Sequence, residues 1–272
     1  MVTKVYDTTG DGGVDMFDVA ELFKNHENEL SELEGDGDFR SEECLALMDE
    51  ADIVVTNPPF SLFREYVGTL VEHGKGFILI GPRNAIAYKE LFPLFMADKM
   101  WLGYGFQNGN SYFAIPPENA REFASGVYDE LTGLVHFRNV TWFTNLDIRK
   151  RHEELVLVEE YDPEKYPSYA NFDGIEVSRV AKIPCDYAGL MGVPITFMDV
   201  YNPDQFEIVG HSLDLAKPMS EVAEKGTYST GGRCFYTSGN RLTDKDKAAG
   251  YLYHREYDRI VIRNRHPESL ED

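Results

Sequence analysis

The stretch that most constrains this chain is an apolar run ending in two prolines. Ile53-Val54-Val55-Thr56 has strong β preference and no polar alternation, the pattern of a strand covered on both faces. It runs directly into Asn57-Pro58-Pro59-Phe60. Helical spacing follows from Ser61 and stops at Gly74, and Phe77 to Gly81 is a second continuous apolar run. Before it, Ser41 is the expected N-cap of a helix with Glu42 and Glu43 in its first turn. Val2 to Tyr6 reads as a short strand, Met16 to Leu30 as a helix, and Ala87 to Lys99 as helix or helical turns. Strand and helix alternating in this way predict an α/β fold, with a parallel sheet covered on both faces.

From Trp101 the pattern changes. Aromatic-rich alternating runs at 101–106, 111–116, 133–145 and 154–161 predict antiparallel strands. After Asp162 come many Tyr, Pro and Gly residues, with short strands expected at 196–201, 206–210 and 259–264. The expected organisation is an α/β core over 1–150 and a mixed, loop-rich C-terminal region over 151–272.

The net charge of −21 argues against non-specific attraction to polyanions. The charge is uneven. Residues 1–60 carry 3 Lys/Arg against 16 Asp/Glu, whereas residues 201–272 carry 10 against 12. A surface for a polyanion therefore belongs in the second half. Three distant cysteines, Cys44, Cys185 and Cys234, give neither a disulfide framework nor a zinc spacing. With no apolar run of about 18 residues and no basic-then-apolar leader pattern, a cytoplasmic chain is expected. Asp7 to Asp18 has carboxylates at positions 1, 5, 9 and 12 of a calcium-loop pattern, but Thr9 at position 3 and Asp at 12 depart from it. An acidic, Gly-rich surface loop is the first expectation there, with bound calcium as the alternative.

The Asn57 corner sits where α/β sheets bind ligands, at the carboxyl end of a strand. Each proline fixes φ and lacks an N–H, and Asn57, preceding Pro58, is pushed out of the α region. The stiff segment holds two acceptors, the Asn57 amide oxygen and the Pro58 carbonyl, in fixed directions. Two such acceptors suit a planar amino group, because drawing both hydrogens to one side favours a tetrahedral nitrogen able to attack an electrophilic methyl. Phe60 would stack on the base, which must leave the duplex to reach the pocket. Asn-Pro is also a common turn former. In its context the segment resembles the (D/N/S)PP(Y/F) motif of methyltransferases acting on amino groups of DNA adenine or cytosine, RNA bases or protein glutamine.

Three longer blocks narrow this. Residues 35–67 (GDGDFRSEECLALMDEADIVVTNPPFSLFREYV), 142–155 (WFTNLDIRKRHEEL) and 184–210 are similar to the EcoRI-type family of adenine-specific DNA methyltransferases. That resemblance implies a Rossmann-like methyltransferase core, S-adenosylmethionine as methyl donor, double-stranded DNA as partner, and catalysis by Asn57, Pro58, Pro59 and Phe60. It also implies that Asp38 contacts the donor's adenine amino group while Phe39 packs on its ring. Tyr6 and Asp7 match the ribose-binding acidic position, and Trp142 and Phe143 help to wall the pocket. Arg149, Lys150 and Arg151 form the densest basic cluster, with phosphates as their expected ligands. The Gly-rich region of Gly231, Arg233, Tyr236, Ser238, Asn240 and Arg241 is expected to contact DNA.

The chain departs from the family at its front. Only 34 residues precede Gly35, and they offer no candidate for the family's first strand and small-residue loop. The core is therefore expected to be incomplete at the N-terminus, the chain being truncated, completed by a protein partner, or descended from an active enzyme. Methylation of RNA or protein, and a non-catalytic DNA- or partner-binding role, stay open as alternatives.

Overall fold

The computed structural model describes residues 5–28, 33–105, 110–115 and 127–268. The chain divides into two compact units, Met1–Asp52 and Ile53–Asp272. This division differs from the one expected at residue 150. Within the second unit, though, the strands up to Thr144 and those from Ile175 onward belong to separate sheets.

The first unit holds α1 (Met16–Lys24) and α2 (Glu42–Glu50). Asp15 caps α1 by accepting from the Phe17 N–H, and Asp18 returns the interaction to the Asp15 N–H. Ser41 caps α2 as expected, accepting from the Cys44 N–H at 3.2 Å. Val5 to Asp7 are not in a strand, and the rest of the expected Val2–Tyr6 strand lies outside the described residues.

The second unit opens with β1 (Ile53–Thr56), α3 (Phe63–Glu72) and β2 (Gly76–Pro82). Next come α4 (Phe92–Met96) and β3 (Trp101–Leu102), then a three-stranded arm of β4 (Asn110–Ala114), β5 (Tyr128–Asp129) and β6 (Leu134–Arg138). β7 (Val140–Thr144) completes the first sheet, whose order is β1-β2-β7-β3. β1 and β2 are parallel, while β7 is antiparallel to both β2 and β3. Thus β1, β2 and β3 share one direction and β7 is inserted against it. The expected all-parallel sheet is in fact mixed. Asn139, at φ 59°, breaks the continuous run expected over 133–145 into β6 and β7.

One face of this sheet is a packed core. Phe63, Val67 and Leu70 recur at helical spacing along α3 and are buried, as are Phe77 and Leu79 of β2. Close approach is enforced at Gly81, where a Cβ would lie 2.4 Å from the Phe63 ring. The other face departs from the expectation of cover on both sides. Ile53 and Val55 of the edge strand β1 are 50% and 65% exposed. Both stand on the face opposite the buried Phe77 and Leu79, where Ile78 and Ile80 of β2 are also only half-buried, and β1 has no strand beyond it among the described residues.

The C-terminal sheet is built from β8 (Ile175–Glu176), β9 (Met191–Pro194), β10 (Phe206–His211) and β13 (Arg259–Asn264), in the order β10-β13-β9-β8. α5 (Ser212–Leu215) follows β10, and the hairpin of β11 (Tyr236–Ser238) and β12 (Tyr253–Arg255) encloses α6 (Asp244–Ala248). The strand expected at 196–201 is instead a 3-10 turn over Ile195–Asp199. The alternating run at 154–161 forms only a single bridge, Glu159 with Pro184. There the Gln205 side chain takes the place of a neighbouring strand, accepting from the Leu155 N–H and donating to the Leu155 carbonyl.

Candidate active site and nucleic-acid interface

At the carboxyl end of β1 the chain turns through Asn57-Pro58-Pro59 into a 3-10 turn over Phe60–Leu62 and then α3. Pro58 is buried while Asn57 and Pro59 are exposed, so the corner is anchored by one ring and open around it. The Pro59 carbonyl accepts from the Leu62 N–H at 2.9 Å, which fixes the turn. No intramolecular hydrogen bond uses the Asn57 side chain among the described residues. Phe60 is 42% exposed.

The sheet puts Trp142 in the same row as this corner. Thr56 pairs with Leu79, so Asn57 lies one step further, level with Ile80, which pairs with Trp142 on β7. Two strand spacings span about 10 Å. The loop after β3 crosses Trp142 closely, since a Cβ on Gly103 would meet the Trp142 Cβ at 2.9 Å. Phe143 points into the opposite face. It is fully buried, 5.0 Å from the Phe63 ring and 6.3 Å from Phe95, so of the two aromatics expected to wall a pocket it belongs to the core.

The basic cluster at 149–151 divides. Arg149 is exposed. Lys150 donates from Nζ to the Gly103 carbonyl at 2.9 Å, and its backbone N–H donates to the Tyr104 hydroxyl. Burial pushes the Lys150 ammonium below its ordinary pKa, opposed by the nearby Asp199 carboxylate. Arg151 is turned inward, its guanidinium over the Trp101 ring and paired with Asp98. Two of the three cations thus make contacts within the fold, while Arg149 is the one left exposed.

In the first unit, Asp38 is half-buried and doubly engaged by the exposed Arg40, through Nε at 2.9 Å and Nη2 at 2.6 Å. These contacts hold its carboxyl at about 2. The Arg40 guanidinium also lies 5.5 Å from the centroid of the half-buried Phe39 ring. Asp7 accepts from the Gly10 and Gly12 N–H groups, and Asp18 from Thr8, Thr9 and Asp15. The calcium-like loop is therefore closed by its own backbone donors, and no cluster able to hold a metal occurs among the described residues.

In the C-terminal region Arg233, Ser238 and Asn240 are exposed, while Tyr236 is buried and donates its hydroxyl to the Ser229 carbonyl. Arg241 is held by Glu256, Nε to Oε1 at 3.0 Å and Nη2 to Oε2 at 2.8 Å. Glu256 also accepts from the Thr237 hydroxyl at 2.6 Å. Burial alone would raise the Glu256 carboxyl, but Arg241 and Thr237 bring it below the ordinary glutamate value. Behind it, Arg259 pairs with buried Glu176 at 2.6 Å, and the Tyr169 hydroxyl donates to the same carboxylate.

Sequence reasoning missed three features. Asn145 clamps the start of β2, accepting from the Phe77 N–H and donating to the Lys75 carbonyl, both at 2.8 Å. Buried Arg83 forms a two-pronged pair with Asp199, 116 residues away. Glu176 and Glu256 form the acidic half of the C-terminal ion network. Only the Asn of the 142–155 block carried a local signal, in its position at a strand end.

The profile of the family described as "Adenine-specific methyltransferase EcoRI" matches residues 1–265. The type II methyltransferase M.EcoRI of Escherichia coli is 43% identical over 206 residues, covering 74% of this chain and 60% of the relative. M.MgeORF184P of Mycoplasma genitalium is 36% identical over 191 residues, or 66% of this chain and 58% of that protein. M.MpnI of Mycoplasma pneumoniae is 34% identical over 243 residues, covering 86% and 70%. The chain thus spans about 60% of the length of the first two relatives. No solved structure matches it. The extent of the profile match and these identities place the chain in the EcoRI family of adenine-specific methyltransferases.

Proposed function

We propose that the chain is an adenine-specific DNA methyltransferase, moving a methyl group from S-adenosylmethionine to the exocyclic amine of a flipped-out adenine. The observation that carries this reading is the anchored, open corner: Pro58 is buried while Asn57 is exposed and unpaired within the described chain. Three strands of one direction, with binding loops at their carboxyl ends, support a Rossmann-like core for the first sheet. Residues 151–272 would carry target recognition, and the relatives named as type II methyltransferases support DNA as the partner.

In this mechanism the Asn57 amide oxygen and the Pro58 carbonyl each accept one hydrogen of the adenine amine. Polarising both N–H bonds to one side frees the nitrogen lone pair; the N–C bond would form as the methyl–sulfonium bond breaks to leave a neutral thioether, and the surplus proton on nitrogen would then pass to water. Phe60 and Trp142 offer aromatic surface to the everted base, offsetting its lost stacking. S-adenosylmethionine supplies an electrophilic methyl on a sulfonium sulfur. The donor set fits it in kind. Asp38 is a fully ionised acceptor for an amino group, and Phe39 offers a half-buried ring for adenine. Arg40 would have to yield part of its grip on Asp38 when the donor binds.

A second reading has one observation in its favour. The outer edge of β1 is unpaired among the described residues, with Ile53 and Val55 exposed. A chain of this kind would bind DNA but need a further protein strand on that edge before turning over. Transfer of radiolabelled methyl to an adenine-containing duplex separates the two. The first reading expects transfer by the chain, with Asn57→Ala lowering it by about 100- to 1000-fold. Duplex binding without transfer selects the second, and near-normal transfer by Asn57→Ala overturns the chemistry.

A further inference from the structure

Two openings beside the C-terminal ion network share Lys165, Pro167 and Arg241 in their walls. One, a groove of about 490 Å³, is also lined by Ser238, Asn240 and Glu164. The other, a cavity of about 210 Å³, adds Lys182 and reaches down to buried Glu176. Arg241 stands between them, its side chain 33% exposed and its Nε and Nη2 fixed by Glu256. Among the described residues no protein acceptor meets its Nη1. Lys165 and Lys182 are exposed and have no ion-pair partner among the described residues.

The network behind Arg241 closes on itself. Glu176 and Glu256 each face both Arg241 and Arg259, at 2.6–3.6 Å, so two carboxylates balance two guanidiniums. Burying such a set contributes little to stability relative to apolar packing. What it does supply is direction: the one partly exposed member cannot swing. With its charge already balanced by the two buried carboxylates, Arg241 offers a phosphate less net attraction than a free cation would. A guanine edge carries no net charge and presents two acceptors, O6 and N7, spaced for the outward pair of guanidinium N–H groups. The free lysines have the opposite character, flexible unpaired cations suited to a phosphate backbone.

We propose that Arg241, aimed by Glu256, reads a guanine in the target duplex, while Lys165 and Lys182 hold the phosphates beside it. This rests on the DNA-methyltransferase reading above. Arg241 makes the base contact, and Glu256 is a positioning residue.

The test is selection of bound duplexes from a random pool by the full chain, with sequencing of the bound fraction. Wild type is expected to select a motif containing guanine. Arg241→Gln and the milder Arg241→Lys should lose preference at one guanine, about 10- to 100-fold, with the other positions kept. Glu256→Gln should relax that same position. Lys165→Ala with Lys182→Ala should leave the motif intact and reduce the salt slope of binding by about two. An unchanged motif in Arg241→Gln and Arg241→Lys, or equal weakening at every position, overturns the assignment of Arg241 alone. Selection of no motif by wild type overturns the DNA reading and this inference with it.

Discussion

The Arg151 guanidinium carbon lies 3.6 Å from the centroid of the Trp101 ring. The same guanidinium pairs with Asp98, and the Trp101 indole N–H donates to the Leu146 carbonyl at 2.9 Å. A cation in the most basic stretch of an acidic chain is thereby used to fasten the segment after β7 onto β3.

Arg151→Ala should therefore lower unfolding free energy by about 1–2 kcal/mol, from the lost cation–π contact over the buried Trp101 ring. It should leave the salt dependence of DNA binding unchanged. Arg149→Ala should do the reverse, sparing stability while reducing the salt slope by about one. Urea titration and binding at several salt concentrations measure both.

Gly81 tests the packing under the candidate site. A methyl there would overlap the Phe63 ring at 2.4 Å and the Phe143 ring at 2.9 Å. Gly81→Ala is expected to destabilise by about 1–3 kcal/mol, and adding Phe63→Leu should recover part of the loss. Thermal melts of the single and double variants decide it.

Asn145 replaces a neighbouring strand at the start of β2. Asn145→Ala would leave the Phe77 N–H and the Lys75 carbonyl without their side-chain partner, at a cost of about 1–3 kcal/mol. Hydrogen exchange at the Phe77 amide should accelerate even where the global melt moves little.

His152 gives a pH dependence with a definite sign. Its Nε2 lies 2.7 Å from the Asp147 carboxylate, and that hydrogen bond raises the imidazolium pKa above 6.5, with Asp204 adding to it. A raised folded-state pKa contributes stability below the unfolded value, lost as pH rises through the folded one. The contact should thus fade above pH 6.5. In an NMR titration Asp147→Asn should move the His152 midpoint down, and an unmoved midpoint would rule out the pairing.

Ile53 to Phe60 and the helix after it were legible in the sequence because their signals are local. Proline fixes φ wherever it stands, and Phe63, Val67 and Leu70 mark one helical face by spacing alone. Ser41 declared its cap in the same way. The 142–155 block was recognisable as a family signature, but its divided roles were not. Whether Lys150 and Arg151 face phosphates or the interior depends on Gly103, Trp101 and Asp98, each about 50 residues distant.

What the chain's own order of residues determined was therefore the stiff corner and its family. Tertiary structure alone decided that β1 is an edge among the described residues, that β7 runs against its neighbours, and that Arg241 is clamped by Glu256 in a network drawn from residues 176 to 259. The physical reason is range. Backbone stiffness and helical period act over a few residues, whereas burial and charge pairing act between side chains that meet only once the sheets have formed.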